Sequence, residues 1–102
     1  MLTANSEYVG YSGSGTFTQS GGIHTVGTTL YLGYNSGSSG TYLLIGTGLL
    51  TANSEYVGYA GTGTFAHTDG TNTVTTDLYL SYTTGSSGTY QLSGAGQLSV
   101  RQ

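Results

Sequence analysis

The chain has 102 residues, enough for one domain with a modest core. Only 5% of residues are charged, Arg101 is the single base and the net charge is −3, which argues against nucleic acid and anionic membrane surfaces as partners. Zero cysteines excludes disulfides, thiol catalysis and thiolate metal sites. No apolar run is long enough to span a bilayer, and "MLTANSEYVG" has neither the basic start nor the apolar stretch of a signal peptide.

From the N-terminus, "LTAN", "EYVGY" and "GTFTQ" read as three short strands, rich in Thr, Tyr, Val and Phe. "HTVGT", "LYLGY" and "GTYLLIG" follow as the matching three, with Gly-Ser runs such as "NSGSSG" as turns. Residues 2–11, "LTANSEYVGY", then return unchanged at 50–59, and 1–48 and 49–96 are about two-thirds identical without a gap. Residues 97–102 begin a third copy within the same single domain. No window holds the 3.6-residue apolar period of a helix.

The 48-residue unit subdivides. Leu2, Val26, Leu50, Val74 and Leu98 are each 24 apart. Tyr8, Tyr31, Tyr56 and Tyr79 are spaced 23, 25 and 23; Phe17, Tyr42, Phe65 and Tyr90 are spaced 25, 23 and 25. A shorter arm is compensated by a longer one, so each 24 residues closes one turn about an axis. This predicts an all-β, three-sided parallel β-solenoid. The alternative is an antiparallel β-meander, because "LYLGY-NSGSSG-TYLLIG" also reads as a hairpin.

Alternation along strands assigns faces. Val9, Leu32, Val57 and Leu80 form one expected inward ladder. Phe17, Tyr42, Phe65 and Tyr90 form a second, and the series from Leu2 to Leu98 a third. Leu30, Leu32 and Tyr34 are placed on the inward side. Tyr8, Tyr31, Tyr56 and Tyr79 then face outward beside small residues, a candidate strip for stacking on glycans or on another surface. A second candidate is self-association. Ile23, Leu43, Ile45 and Leu49 stand where the second copy has Thr71, Gln91, Ser93 and Gln97, and alternation turns Leu43 and Ile45 outward. The partners expected are copies of the chain, as a homo-oligomer or filament, with a glycan or surface as the other option.

Catalytic chemistry finds little support. Glu7 and Glu55 are separated by Leu30 at the equivalent position and read as solvated turn carboxylates. Asp69 with His67 in "AHTDG" reads as a turn. His24 aligns with Asn72 and reads as a polar turn residue. No GxSxG elbow, phosphate loop or recurring Asp of a calcium-binding repeat is present. No enzyme activity, cofactor or metal is expected.

"GSGTFTQSGGIHTV" with "LYLGYNSGSSGTY", and again "GTGTFAHTDGTNTV" with "LYLSYTTGSSGTY", resemble the Gly-, Ser- and Thr-rich repeats of bacterial autotransporter-like surface proteins. The resemblance covers nearly the whole chain. It implies a β-helix in a secreted or cell-surface protein with a structural or adhesive role. It carries no catalytic residues.

Overall fold

The computed structural model describes residues 2–100. Nine strands follow in order: β1 (Leu2–Val9), β2 (Ser14–Gln19), β3 (Ile23–Leu32), β4 (Ser39–Leu44), β5 (Leu49–Val57), β6 (Thr62–His67), β7 (Thr71–Leu80), β8 (Ser87–Leu92) and β9 (Gln97–Val100). Odd-numbered strands form one sheet, in the order β1-β3-β5-β7-β9, and even-numbered strands the other, β2-β4-β6-β8. Every pairing is parallel, which overturns the meander alternative. The fold is the β-solenoid that the spacing predicts. One odd and one even strand make a coil, so four coils are complete and β9 begins a fifth.

The first two expected strands of each coil run on as one long strand. A register shift lies within it, between Ala4 and Ser6 in β1 and between Val26 and Thr29 in β3. One residue, Asn5 or Asn53, makes the shift in coils one and three. Two residues, Gly27-Thr28 or Thr75-Thr76, make it in coils two and four. The side chains tie these irregularities together: Thr75 and Thr76 both donate to Asn53 Oδ1, at 2.8 and 2.6 Å.

Two expected ladders pair as read. Val9, Leu32, Val57 and Leu80 are in register, and the first three are buried. Phe17, Tyr42, Phe65 and Tyr90 are in register and stack ring on ring, with centroids 4.7–5.0 Å apart. The third is corrected. Leu2 pairs with His24 rather than Val26, and the true column is Leu2, His24, Leu50, Asn72 and Leu98, spaced 22, 26, 22 and 26. Ala4, Val26, Ala52, Val74 and Val100 form the neighbouring column. Each irregularity inside a long strand changes the pairing offset by one residue, from 22 at Leu2↔His24 to 23 at Tyr8↔Tyr31 and from 26 at His24↔Leu50 to 25 at Tyr31↔Tyr56.

Tyr34 is also corrected, from inward to outward. Gly33 takes φ 70, which interrupts the alternation of "LYLGY" and turns Tyr34 to the same outer side as Tyr31. Hydrogen bonding continues through that corner, from Gly33 N to Val9 O and from Tyr34 N to Gly10 O, both 3.0 Å.

Candidate functional site

Polar side chains fill part of the interior, in two sets of four related by the 48-residue repeat. In the first repeat they are Glu7, Gln19, His24 and Tyr42. In the second they are Glu55, His67, Asn72 and Tyr90. Glu55, His67 and Asn72 are at most 1% exposed, as is His24, and Gln19 is 6% exposed. Glu7 retains 16% of its side-chain surface. The expectation of solvated or turn residues at Glu7, Glu55, His24 and His67 is therefore corrected: all four lie on strands with their side chains turned inward.

Both sets have one construction. Coils one and three supply the glutamate and the Gln19 or His67 position. Coils two and four supply the His24 or Asn72 position and the tyrosine. Each polar member pairs in register with apolar residues: Glu7 with Leu30, Gln19 with Leu44, His24 with Leu2 and Leu50, Tyr42 with Phe17 and Phe65. Polar contacts therefore run diagonally between coils one and two and between coils three and four. Leu30, Leu44, Leu50 and Phe65 separate the two sets. Two coils are needed to complete one set, which explains why the sequence repeats at 48 residues although a coil closes in 24.

Hydrogen-bond direction can be fixed from the backbone end of each set. In the first, Gln19 Nε2 donates to the carbonyls of Gly22 and Leu49, both at 3.1 Å. Gln19 Oε1 then accepts from the Tyr42 hydroxyl at 2.7 Å. With its proton so used, Tyr42 accepts from His24 Nδ1 at 2.7 Å. His24 Nε2 is left 3.0 Å from Glu7 Oε2. The two are close but misaligned, because Nε2 and Glu7 Oε1 both lack a well-directed partner. Two lone pairs at that distance repel, so one proton is held between the carboxyl and the imidazole. Burial raises the Glu7 pKa to about 7 and lowers that of His24.

In the second set, His67 Nε2 donates to Gly70 O at 3.0 Å. In the tautomer with the proton on Nε2, Nδ1 accepts from the Tyr90 hydroxyl at 2.8 Å. Tyr90 accepts from Asn72 Nδ2 at 3.1 Å, and the same amide donates to Glu55 Oε1 at 3.0 Å. Glu55 Oε2 and Asn72 Oδ1 have no partner. Burial outweighs the Asn72 hydrogen bond and raises the Glu55 pKa to about 8, so the group is a neutral acid at pH 7. Burial likewise pushes the Tyr42 and Tyr90 hydroxyls up. Most of these interior groups are buried, while Glu7 keeps 16% of its side-chain surface and Tyr90 is half-buried.

On the outside, Tyr8, Tyr31, Tyr56 and Tyr79 stack in one column with centroids 4.6–5.2 Å apart. Tyr11, Tyr34, Tyr59 and Tyr82 form a second column at 5.0–5.1 Å, set edge-on to the first. The rings within a column cover one another's faces and present edges and hydroxyls. Tyr8, Tyr11 and Tyr82, at column ends, are 45%, 54% and 50% exposed. The second column follows from a visible signal, a Tyr-x-x-Tyr spacing in every coil, once Gly33 and its equivalents are read as corners.

The four aliphatics gather around one turn. Leu43 and Ile45, both half-buried, lead into it from β4. Leu49, 36% exposed, leaves it in β5 with Ile23, 47% exposed, as its register partner. At the open side of the first coil lies a recess of about 330 Å³ bordered by Leu2, Phe17, Gln19, Ile23 and His24. Their equivalents Leu50, Phe65 and His67 are covered there by the preceding coil. No group of three or more metal-ligating side chains occurs among the described residues. The chain matches no family model, no curated protein and no solved structure.

Proposed function

We propose that the chain is a non-catalytic structural repeat segment that associates with copies of itself, of the kind carried by secreted or cell-surface bacterial proteins. The carrying observation is the cluster of Ile23, Leu43, Ile45 and Leu49 on a surface with almost no charge to oppose contact. The second repeat has polar residues at all four positions, so the coil itself does not require the aliphatics. The surface location rests on the resemblance of the Gly-, Ser- and Thr-rich repeats. Light scattering across concentration is expected to give a dimer or larger species. Leu43→Gln with Ile45→Ser, the residues of the second repeat, shifts it toward monomer. A wild type that stays monomeric at high concentration overturns the reading.

A second reading is adhesion to a glycan or other surface, favoured by the block of eight outward tyrosines. With interior ring faces covered, contact is through edges and hydroxyls along the columns and through faces at their ends. Tyr31→Ser with Tyr56→Ser tests the columns, and Tyr8→Ser with Tyr11→Ser tests one end. Retained binding to immobilised polysaccharide in both variants rejects the tyrosines as the site.

A further inference from the structure

The outer face of the even-strand sheet carries a two-dimensional array of hydroxyls. Ser14, Ser39, Thr62 and Ser87 pair in register, and Thr16, Thr41, Thr64 and Thr89 do so two residues further on. The residue between the two ranks is glycine in every coil, and the inward column from Phe17 to Tyr90 follows, so alternation turns both ranks outward. Strand spacing sets neighbours within a rank about 4.8 Å apart, and the rise of two residues sets the ranks about 6.6 Å apart. In the two middle coils Ser39 and Thr62 are exposed and Thr41 and Thr64 half-buried.

The array is held rigid. Its strands pair without a register shift, whereas β1 with β3, β3 with β5 and β5 with β7 each contain one. The glycines between the ranks seat this sheet directly on the backbone of the adjoining corner. A Cβ on Gly40 would land on the carbonyl oxygen of Val9, one on Gly63 on the amide nitrogen of Gly58, and one on Gly88 on the carbonyl oxygen of Val57. The rings one residue beyond the threonines stay within 16° of parallel from each coil to the next, so neighbouring strands keep nearly the same attitude. Threonine adds stiffness of its own, because a β-branched side chain has few χ1 states.

The chemistry of this face is narrow. The strands β2, β4, β6 and β8 contain no Asp, Glu, Lys or Arg. Their rings face inward, so nothing on the array stacks on a sugar; the outward tyrosines lie on the odd-strand sheet and its corner. Among the described residues, the serine and threonine hydroxyls that bond within the protein are those of Ser6, Thr28, Ser38, Thr75, Thr76 and Ser86, none of them in the array. Its hydroxyls are therefore left to water, and each threonine sets a methyl beside its hydroxyl. The odd-strand sheet offers only one comparable rank, Thr3, Thr25, Thr51 and Thr73, with the mixed row of Ile23, Leu49, Thr71 and Gln97 on one side and the register shift on the other.

The prism face of hexagonal ice repeats its oxygens on a rectangular net close to the two spacings of the array. Water held along both ranks is thereby placed as a layer of that lattice, on a face without charge to disorder it. We propose that the two hydroxyl ranks of the even-strand sheet form an ice-binding surface. This goes beyond self-association and does not depend on it.

Slow growth of ice in a stirred solution of the chain, with protein measured in the ice and in the remaining liquid, tests the proposal. The wild type is expected to be enriched in the ice over a non-binding control protein, and to hold a seed crystal without growth over an interval below its melting point. Thr41→Lys with Thr64→Lys puts two charges in the middle of the array and is expected to abolish both effects. Thr25→Lys with Thr51→Lys, on the other sheet, is expected to keep them, and circular dichroism checks that both variants are folded. Ser39→Thr with Ser87→Thr extends the second rank of methyls, at a position where Thr62 already fits, and is expected to widen the interval. No enrichment of the wild type, enrichment kept by Thr41→Lys with Thr64→Lys, equal losses in the two lysine variants, or an unchanged interval in the Ser39→Thr and Ser87→Thr variant overturns the proposal. Binding to microcrystalline chitin or cellulose without enrichment in ice would give the face to a glycan and overturn it too.

Discussion

In the first repeat the buried carboxyl of Glu7 faces an imidazole; in the second that of Glu55 faces an amide. The positions are the same and the tyrosines are equivalent, yet the protons are held differently. Glu7 and His24 share one proton, and the pair stays neutral whichever partner holds it. Asn72 cannot accept a proton from Glu55, so the acid must keep its own. The hydrogen-bond chains also run differently. In the first set Tyr42 donates to Gln19 on coil one, whereas in the second Tyr90 donates to His67 and the amide of Asn72 serves both Tyr90 and Glu55. Two substitutions, His24 for Asn72 and Gln19 for His67, thus change a proton-sharing core into a proton-retaining one without altering the coil.

The sharpest break of this comparison is pH. Glu55 faces the Asn72 amide and the Tyr90 hydroxyl region, with Leu30 and Leu78 as register neighbours, and makes no ion pair among the described residues. Its folded-state pKa of about 8 lies above the ordinary 4.5, so folding takes up a proton. The associated stability is complete below about pH 4.5 and is lost as pH rises through about 8, a change on the order of 4–5 kcal/mol. Against a typical domain stability of about 5–15 kcal/mol this is large. The midpoint of urea unfolding is expected to fall steeply from pH 5 to pH 9. Glu55→Gln, neutral throughout and still able to accept from Asn72, should remove most of that fall and leave the smaller contribution of Glu7, which is lost between about pH 4.5 and pH 7. A parallel decline in wild type and variant would place the pH sensitivity elsewhere.

Removing the two tyrosine hydroxyls sharpens the comparison at constant pH. Tyr42 is fully buried between Phe17 and Phe65, and its hydroxyl serves both His24 and Gln19. Tyr42→Phe strands two buried groups, and a loss of about 2–4 kcal/mol is expected. Tyr90 is half-buried in the last complete coil, where water can replace its hydroxyl. Tyr90→Phe should lose about 1–2 kcal/mol. Phe17 and Phe65 occupy the same column, so the ring itself is tolerated in either form. Equal losses from the two variants would mean that burial depth does not distinguish the sets.

The ladders were legible because their members are alike: Val9, Leu32 and Val57 recur at spacings that compensate, and each sits in an alternating strand. The interior polar sets were not, because a lone Glu or His reads as solvated when judged by its own letter. The signal lay in the columns. Glu7 and Glu55 alternate with Leu30 and Leu78, and His24 and Asn72 with Leu2, Leu50 and Leu98. A polar residue in a column of leucines is inside, provided the register is known. That register was hidden because Leu2 to Val26 keeps the 24-residue count while the true partner is His24, and one residue of that slip comes from Asn5 against Gly27-Thr28. Tyr34 was misplaced for a related reason, since alternation was carried through a corner glycine that ends it.

The smallest expected effect concerns the acid side of the first set. Burial lowers the pKa of His24, so His24 contributes stability that is present above its ordinary value of 6.5 and is lost as pH falls through its depressed folded value. Glu7 opposes this only in part, since its own raised value favours the protonated acid that the imidazole then faces. His24→Asn installs the residue of the second repeat and removes the group that resists protonation. The variant also loses the stack of His24 on Phe17, whose centroids are 4.9 Å apart, so its stability at neutral pH should drop by about 0.5–1.5 kcal/mol. That offset is independent of pH. The diagnostic quantity is therefore the slope: between pH 6.5 and pH 4 the difference between wild type and variant should narrow as the wild type alone has an imidazole to bury. A constant difference across that range would show that His24 is held by packing and not by the proton it shares with Glu7.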